Sequence, residues 1–254
     1  MPNTYDLGAS LLAYYPFNQD NFLGDVSNKL GPLTASASSP TQQATGPWGA
    51  TSNSALLTFN THQFFQVPNT LLPDPYSICI WYQYTAGATV ANQFLVQFGL
   101  QITLTNDMLS TTNTLLKLSD ALGEPYDIMS IPNGCNGASW KHVCIGVGNG
   151  VAKIWLNGGI VVNKDISVPR DPNAIITPNY LGRWAYSDAT TFAGSIDEYR
   201  IYNKFLTNEE ASAIYAFRGD TTTTSMPMTC QAGMRIPPGK TVCEVCVDLS
   251  LIHI

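Results

Sequence analysis

The chain alternates short apolar segments with turns that are rich in glycine, proline and asparagine. In His142–Val147, branched apolar side chains fall on every second position, which is typical of a strand with one buried face. Asn149-Gly150 and Asn157-Gly158 follow, and Asn-Gly readily adopts the positive φ angles of a hairpin turn. The pattern therefore predicts a three-stranded meander over Lys141–Val162.

Similar strand patterns recur along the rest of the body and are separated by turn residues. The strands predicted outside the meander are Leu11–Phe17, Ala55–Phe59, Phe64–Val67, Tyr76–Tyr84 and Phe94–Leu104. Because short strands follow one another without alternating helices, the pattern predicts an all-β protein.

One helix is marked by its start signal. Thr207-Asn208-Glu209-Glu210 matches a capping box, in which Thr207 caps the helix and Glu210 reaches back to the backbone. Acids in the first turn also interact favourably with the helix dipole. The two glutamates are therefore expected to have a structural role.

Asp197 and Glu198 form a second pair of acids on a predicted strand before this helix. Neighbouring side chains of a regular strand point to opposite faces, so the two carboxylates are not expected to face one substrate. We expect one to point inward or to the sheet rim and the other to solvent. Asp197 remains a candidate metal ligand.

Composition narrows the classes of partner. The 254 residues are 44% hydrophobic and 12% charged, which indicates a folded chain with a sizeable core. A net charge of −6 gives no electrostatic reason to bind nucleic acid or an anionic membrane. No apolar run is long enough to predict a membrane span.

The composition changes after Gly219. Residues 1–219 form the predicted body, and the threonine-rich residues 220–229 are typical of a linker. Half of the six cysteines, namely Cys230, Cys243 and Cys246, lie in the tail beyond that linker. This distribution favours a secreted, oxidised protein and therefore an extracellular or cell-surface location.

An ordered set of segments in the body resembles the LamG-like, concanavalin A-like jelly-roll family, which includes laminin G domains and pentraxins. The resembling segments are Leu12–Asn18, Thr58–Asn69, Tyr76–Trp81, Trp140–Val143, Ile154–Gly158, Leu181–Arg183 and Gly194–Ala216. The resemblance covers about residues 7–217. It implies a two-sheet antiparallel sandwich with one short helix near its end.

The resemblance also implies one disulfide and bears on calcium. Pentraxins join two strands by a disulfide at the positions of Cys79 and Cys144, and we expect this bridge across the core; Cys135 with Cys144 is the rival pairing. The family's calcium ligands are largely missing from Arg183–Asp188 and from Asn60–Gln63. The sequence therefore assigns no cofactor, and calcium binding is kept as an alternative.

The tail resembles a different family. Cys230–Gly233 and Pro237–Cys246 look like the start of an ephrin-receptor-like cysteine-rich repeat, which makes residues 230–248 a partial extracellular module. Zinc binding by the Cys-X2-Cys is the alternative, but a second pair of ligands is missing from this segment. Residues 249–254 match the translation of a sequencing adapter, and we expect them to be an artefact.

Three functions remain open: a non-catalytic module that binds a glycan or an extracellular protein, a purely structural or adhesion spacer, and a glycoside hydrolase. The third is not expected, because the sequence lacks acids at alternating positions of one strand. Trp184, Tyr186 and Asp188 are the candidate ligand-binding residues, since they share the predicted loop Arg183–Thr191. The alternative is that Trp184 packs over the sheet edge.

Overall fold

A computed structural model describes most of the body and short parts of the tail. The chain divides into two compact units, Met1–Gly219 and Asp220–Ile254. The described residues are 9–18, 20–49, 53–57, 62–85, 93–98, 102–106, 113–119, 125–134, 138–166, 175–176, 178–184, 187–217, 234–235 and 244–245.

The body contains two antiparallel sheets, which confirms the predicted all-β sandwich. The first sheet has the order β14-β13-β12-β7-β19-β4-β3, with β1 paired to β19. Its strands are β1 (Leu11–Tyr15), β3 (Thr41–Gln43), β4 (Ser54–Leu57), β7 (Tyr76–Tyr84), β12 (Lys141–Gly148), β13 (Val151–Leu156), β14 (Gly159–Asp165) and β19 (Gly194–Tyr202).

The second sheet has the order β11-β10-β9-β8-β16-β5-β2. Its strands are β2 (Thr34–Ala35), β5 (Phe65–Val67), β8 (Phe94–Phe98), β9 (Ile102–Asn106), β10 (Thr114–Ser119), β11 (Pro125–Ile131) and β16 (Asn179–Leu181). The apolar segment predicted as one strand, Phe94–Leu104, thus belongs to two paired strands.

Short strand pairs complete the described structure. In the body, β6 (Thr70–Leu71) pairs with β15 (Ile175–Ile176), and β17 (Arg183–Trp184) pairs with β18 (Ser187–Thr191). In the second unit, β20 (Met234–Arg235) pairs with β21 (Glu244–Val245). The three tail cysteines and Cys135 lie outside the described residues.

The predicted meander is confirmed, because β12, β13 and β14 pair in sequence. Asn149 and Asn157 adopt φ angles of 53° and 51° at its two turns. On β12, Val143, Ile145 and Val147 join the core between the sheets. Alternation turns the residues between them to the outer face of the first sheet.

The outer face of the first sheet is covered by helix α1 (Asn208–Ala216). Its predicted capping box is present: the Thr207 side chain accepts from the Glu210 N–H, and the Glu210 carboxylate accepts from the Thr207 N–H. Ala211 and Ile214 pack in a second apolar cluster with Trp155 of β13. The central strands are therefore buried on both faces.

The structure contains the Cys79–Cys144 disulfide that the resemblance implies. The two cysteines are directly opposite each other on neighbouring strands β7 and β12, with their Cα atoms 4.1 Å apart. Both belong to the cluster beneath α1 rather than to the core between the sheets. The bridge therefore links two neighbouring strands of the same sheet. The expectation that it crosses the core between the two sheets is wrong.

Candidate functional site

The acids Asp197 and Glu198 lie at an irregularity in β19. The register of β19 against β7 shifts between Asp197 and Arg200, and Glu198 has a φ of 54°. The strand is therefore not regular here, and the simple alternation of faces does not apply. Asp197 is 1% exposed and Glu198 is 2% exposed. The expectation that one of them points to solvent is wrong.

Glu198 is held by a buried set of partners. The Tyr14 hydroxyl donates to both Glu198 carboxylate oxygens, at 2.8 and 3.0 Å. Arg200 forms an ion pair with the same carboxylate, and its guanidinium carbon lies 4.2 Å from the centre of the Tyr14 ring and 5.0 Å from that of Phe217. Glu198 and Arg200 thus form a buried ion pair that packs against two aromatic rings.

Burial controls the protonation of this region. Burial raises the pKa of Asp197 well above its ordinary value, and the Glu198 charge raises it further. For Arg200, burial alone would lower the pKa, but Glu198 together with Tyr14 and Tyr202 outweighs the effect of burial, and the pKa is raised. The Arg200 guanidinium therefore stays charged and paired with the Glu198 carboxylate.

His142 lies beside the same region and is completely buried. Its ring centre is 5.1 Å from that of Trp81 and 5.9 Å from that of Tyr215 on α1. Burial lowers the pKa of His142 from 6.5 to about 3, and the charge of Arg200 acts in the same direction. The imidazole is therefore neutral at physiological pH.

One group of three metal-ligating side chains occurs among the described residues: Cys79, His142 and Cys144. Its two sulfurs are joined as a disulfide, so they are not thiolate ligands. Asp197, the candidate metal ligand of the sequence, belongs to no such group within the described parts of the chain.

A second aromatic arrangement lies on the outer face of the other sheet. Trp184 on β17 is 36% exposed, and its ring stacks on that of Phe94 with centres 5.6 Å apart and planes 10° from parallel. Leu95, the neighbour of Phe94, points into the core instead. Trp184 thus packs against the sheet through one side of its ring while remaining accessible to solvent.

Arg183 lies next to this tryptophan. Its guanidinium carbon is 4.6 Å from the centre of the Phe64 ring and 4.7 Å from that of the Tyr180 ring. Its Nε donates to the carbonyl oxygen of Trp184 at 3.1 Å. The arginine is only half-buried. We call these five residues, Phe64, Phe94, Tyr180, Arg183 and Trp184, the Arg183–Trp184 patch.

Gly182 positions the patch. It follows β16 with a φ of +88°, and its N–H donates to the Leu95 carbonyl at 3.0 Å. A Cβ at this position would lie 2.2 Å from a methyl carbon of Leu57. Glycine therefore allows the chain to leave the sheet in close contact with the core, which directs β17 over the outer face.

The three candidate ligand-binding residues have different outcomes. Trp184 belongs to the patch. Asp188 lies on β18, and its side chain is outside the described part of the structure, as is the whole of Tyr186. Sequence reasoning missed Phe64, Phe94 and Tyr180. Alternation along β16 was the available signal for Tyr180, because Leu181 beside it is a core residue.

The two antiparallel sheets of the body form a jelly-roll sandwich. Residues 59–212 match the Laminin_G_3 model of the concanavalin A-like lectin/glucanases superfamily, and the chain belongs to that superfamily. No curated protein matches the chain. No helix among the described residues has both the length and the apolar character needed to cross a membrane.

Solved structures share the fold at low sequence identity. Domain 4 of AbnA, an extracellular arabinanase from Geobacillus stearothermophilus, in complex with arabinotriose, is 22% identical, with a TM-score of 0.61 over 81% of this chain and 98% of that one. The ligand-binding domain of botulinum neurotoxin serotype D, in complex with N-acetylneuraminic acid, is 16% identical, with a TM-score of 0.63 over 84% of this chain. The present chain covers about half of that toxin domain, at 52%.

Proposed function

We propose that this chain carries a non-catalytic binding module of an extracellular protein, and that the module binds glycans through the Arg183–Trp184 patch. The observation that carries the proposal is the partly exposed Trp184 ring, stacked on Phe94 beside a guanidinium. A sugar ring has an apolar face of C–H groups that packs on an aromatic ring, while its hydroxyls need polar partners at the edge.

The patch is prepared for such a ligand. Phe94 supports the Trp184 ring from one side, and two aromatic rings together with a backbone carbonyl hold Arg183. Side chains that are already ordered lose little conformational entropy when a ligand binds. A small contact area can therefore give useful affinity.

Two similar structures support the choice of ligand class. The arabinanase domain is in complex with arabinotriose, and the neurotoxin domain is in complex with N-acetylneuraminic acid. Both ligands are sugars; the shared fold covers 98% of the arabinanase domain but 52% of the toxin domain, so the arabinanase domain carries the comparison. A protein ligand remains the alternative within the proposed binding function.

The placement of the acids supports a non-catalytic role. A glycoside hydrolase needs two carboxyl groups that reach the scissile bond. Asp197 and Glu198 are buried, and Glu198 is engaged by Tyr14 and Arg200. A sugar at the Arg183–Trp184 patch on the other sheet would meet neither of these acids.

The cysteines support an extracellular setting. A buried disulfide such as Cys79–Cys144 is typical of proteins that fold in an oxidising compartment. We further propose the domain order expected from the sequence: a binding module over residues 1–219, a linker over 220–229 and a cysteine-rich segment over 230–248.

A glycan array probed with the full chain, once with calcium and once with chelator, tests the proposal. We expect binding to a defined glycan class, lost in Trp184→Ala and kept in the matched control Trp48→Ala. Trp48 is half-buried and packs edge to face against Trp81 of the first sheet, so the control removes the same type of side chain at another site. Absence of all glycan binding by the folded chain would overturn the proposal and favour a spacer.

A further inference from the structure

We infer that the Arg183–Trp184 patch selects glycans that bear a carboxylate, with Arg183 binding the carboxylate while Trp184 stacks on the sugar ring. The inference deepens the proposed function and rests on it. It names the chemical class of the ligand and assigns the specificity to a single side chain.

The first observation is that Arg183 has no acidic partner among the described residues. The ion pairs found there use Lys164, Arg200 and Lys204. The hydrogen bond of Arg183 uses Nε and leaves both terminal nitrogens without a partner in the described structure. These nitrogens carry four N–H donors, and the side chain is only half-buried.

The second observation is that Arg183 is fixed before any ligand arrives. Phe64 and Tyr180 pack edge to face with ring centres 5.4 Å apart, and the guanidinium carbon lies within 4.7 Å of each ring centre. The Nε contact to Trp184 fixes the remaining rotation of the planar group. A rigid guanidinium fork matches the two oxygens of a carboxylate, and charge-assisted bonds of this kind are stronger than those to neutral hydroxyls.

The third observation comes from the same molecule. Arg200 also lies against two aromatic rings, those of Tyr14 and Phe217, and there the carboxylate of Glu198 completes the pair. Within the described part of the chain, the patch repeats the aromatic support without an acid. A ligand carboxylate at Arg183 would therefore reproduce an arrangement that this chain already stabilises internally.

Charge limits the ligand further. The chain has a net charge of −6, so a densely charged polyanion is repelled by the protein as a whole. A single fixed arginine suits a sugar with isolated carboxylates, such as a uronic or sialic acid, better than a polysulfated chain.

The test uses pairs of glycans that differ only in the charge. The full chain is titrated with trigalacturonate and with its methyl ester, and with sialyllactose and with its methyl ester. The variants are Arg183→Gln, Arg183→Lys and the control Lys153→Gln. Lys153 is another cation packed over an aromatic ring, 5.5 Å from the Phe205 ring centre, but it lies on the first sheet.

We expect at least one acidic glycan to bind about tenfold or more tightly than its neutral partner, as charge-assisted hydrogen bonds imply. Arg183→Gln should abolish this preference, Arg183→Lys should keep part of it because the charge remains, and Lys153→Gln should leave it unchanged. The preference should weaken as salt is raised.

The failures of the two proposals are distinguishable. Equal binding of acidic and neutral partners, lost in Trp184→Ala, would overturn the carboxylate inference and leave the proposed function standing. An acidic preference that survives in Arg183→Gln would also overturn the inference. No binding of any sugar on the glycan array would overturn both.

Discussion

Two arginines among the described residues lie against aromatic rings, and they differ in whether a carboxylate is paired with them. Arg200 is buried on the first sheet and is neutralised by Glu198, which also accepts a hydrogen bond from the Tyr14 hydroxyl. Arg183 lies half-exposed on the second sheet and has no acidic partner among the described residues. We call the Arg200–Glu198 ion pair and its surroundings the closed region, and the Arg183–Trp184 patch the open region. The same aromatic support can serve stability in the closed region and ligand recognition in the open region.

The closed pair should give the largest effect when it is broken. Glu198→Gln leaves the Arg200 charge buried without its counter-charge, and we expect a loss of about 3–5 kcal/mol in the free energy of unfolding. Urea denaturation measures this loss. The control is Glu209→Gln, since Glu209 is exposed in the first turn of α1 and its loss should change the free energy of unfolding far less. Equal losses in the two variants would show that the buried pair is not special.

The support of the open region can be broken separately. Gly182→Ala places a Cβ against Leu57 in a backbone conformation with positive φ, and we expect it to cost about 2–3 kcal/mol and to weaken glycan binding. Gly150→Ala is the matched control, because Gly150 has a φ of +74° but no atoms in the way. Comparing the melting temperatures of the two variants separates the cost of the contact with Leu57 from the cost of the positive φ alone. If Gly150→Ala lost as much stability, the close approach to Leu57 would be irrelevant.

Local signals in the sequence were enough for much of the fold. The Asn-Gly turns and the capping box at Thr207 use residues within a few positions of each other, and the structure has both features. The bulge at Glu198 could not be predicted in this way, because its partner Tyr14 is 184 positions away. The sequence of β19 looks like that of a regular strand, but its register shifts between Asp197 and Arg200, where Glu198 and Arg200 form their buried ion pair.

The candidate site shows the same division. Trp184 was found because an aromatic residue in a predicted loop is a local signal. The rest of the patch comes from three other segments of the chain, and only the pairing of β16 with β5 and β8 brings those segments together. The role of Arg183 follows from its place between Phe64 and Tyr180, which no local pattern indicates.

The closed region should also respond to pH. The folded pKa of His142 is about 3, below its ordinary value of 6.5, so the unfolded chain binds a proton more readily. Stability from this group is therefore complete above about pH 6.5 and is lost as the pH falls toward 3. Between pH 7 and pH 5 we expect the original chain to lose about 2 kcal/mol more than His142→Phe. Parallel stability curves for the two proteins, measured by urea denaturation, would contradict this assignment.

The smallest effect should come from removing the open arginine itself. Arg183→Gln breaks no ion pair among the described residues; it removes the packing of a half-exposed guanidinium on Phe64 and Tyr180 and one exposed hydrogen bond to the Trp184 carbonyl. Such cation–π contacts contribute about 0.5–1 kcal/mol at exposed sites, so the free energy of unfolding should fall by less than about 1 kcal/mol. Lys153→Gln, which loses a comparable contact with Phe205, should behave alike in the same urea titration. A loss as large as that of Glu198→Gln would mean that Arg183 has a structural partner and is not held open for a ligand.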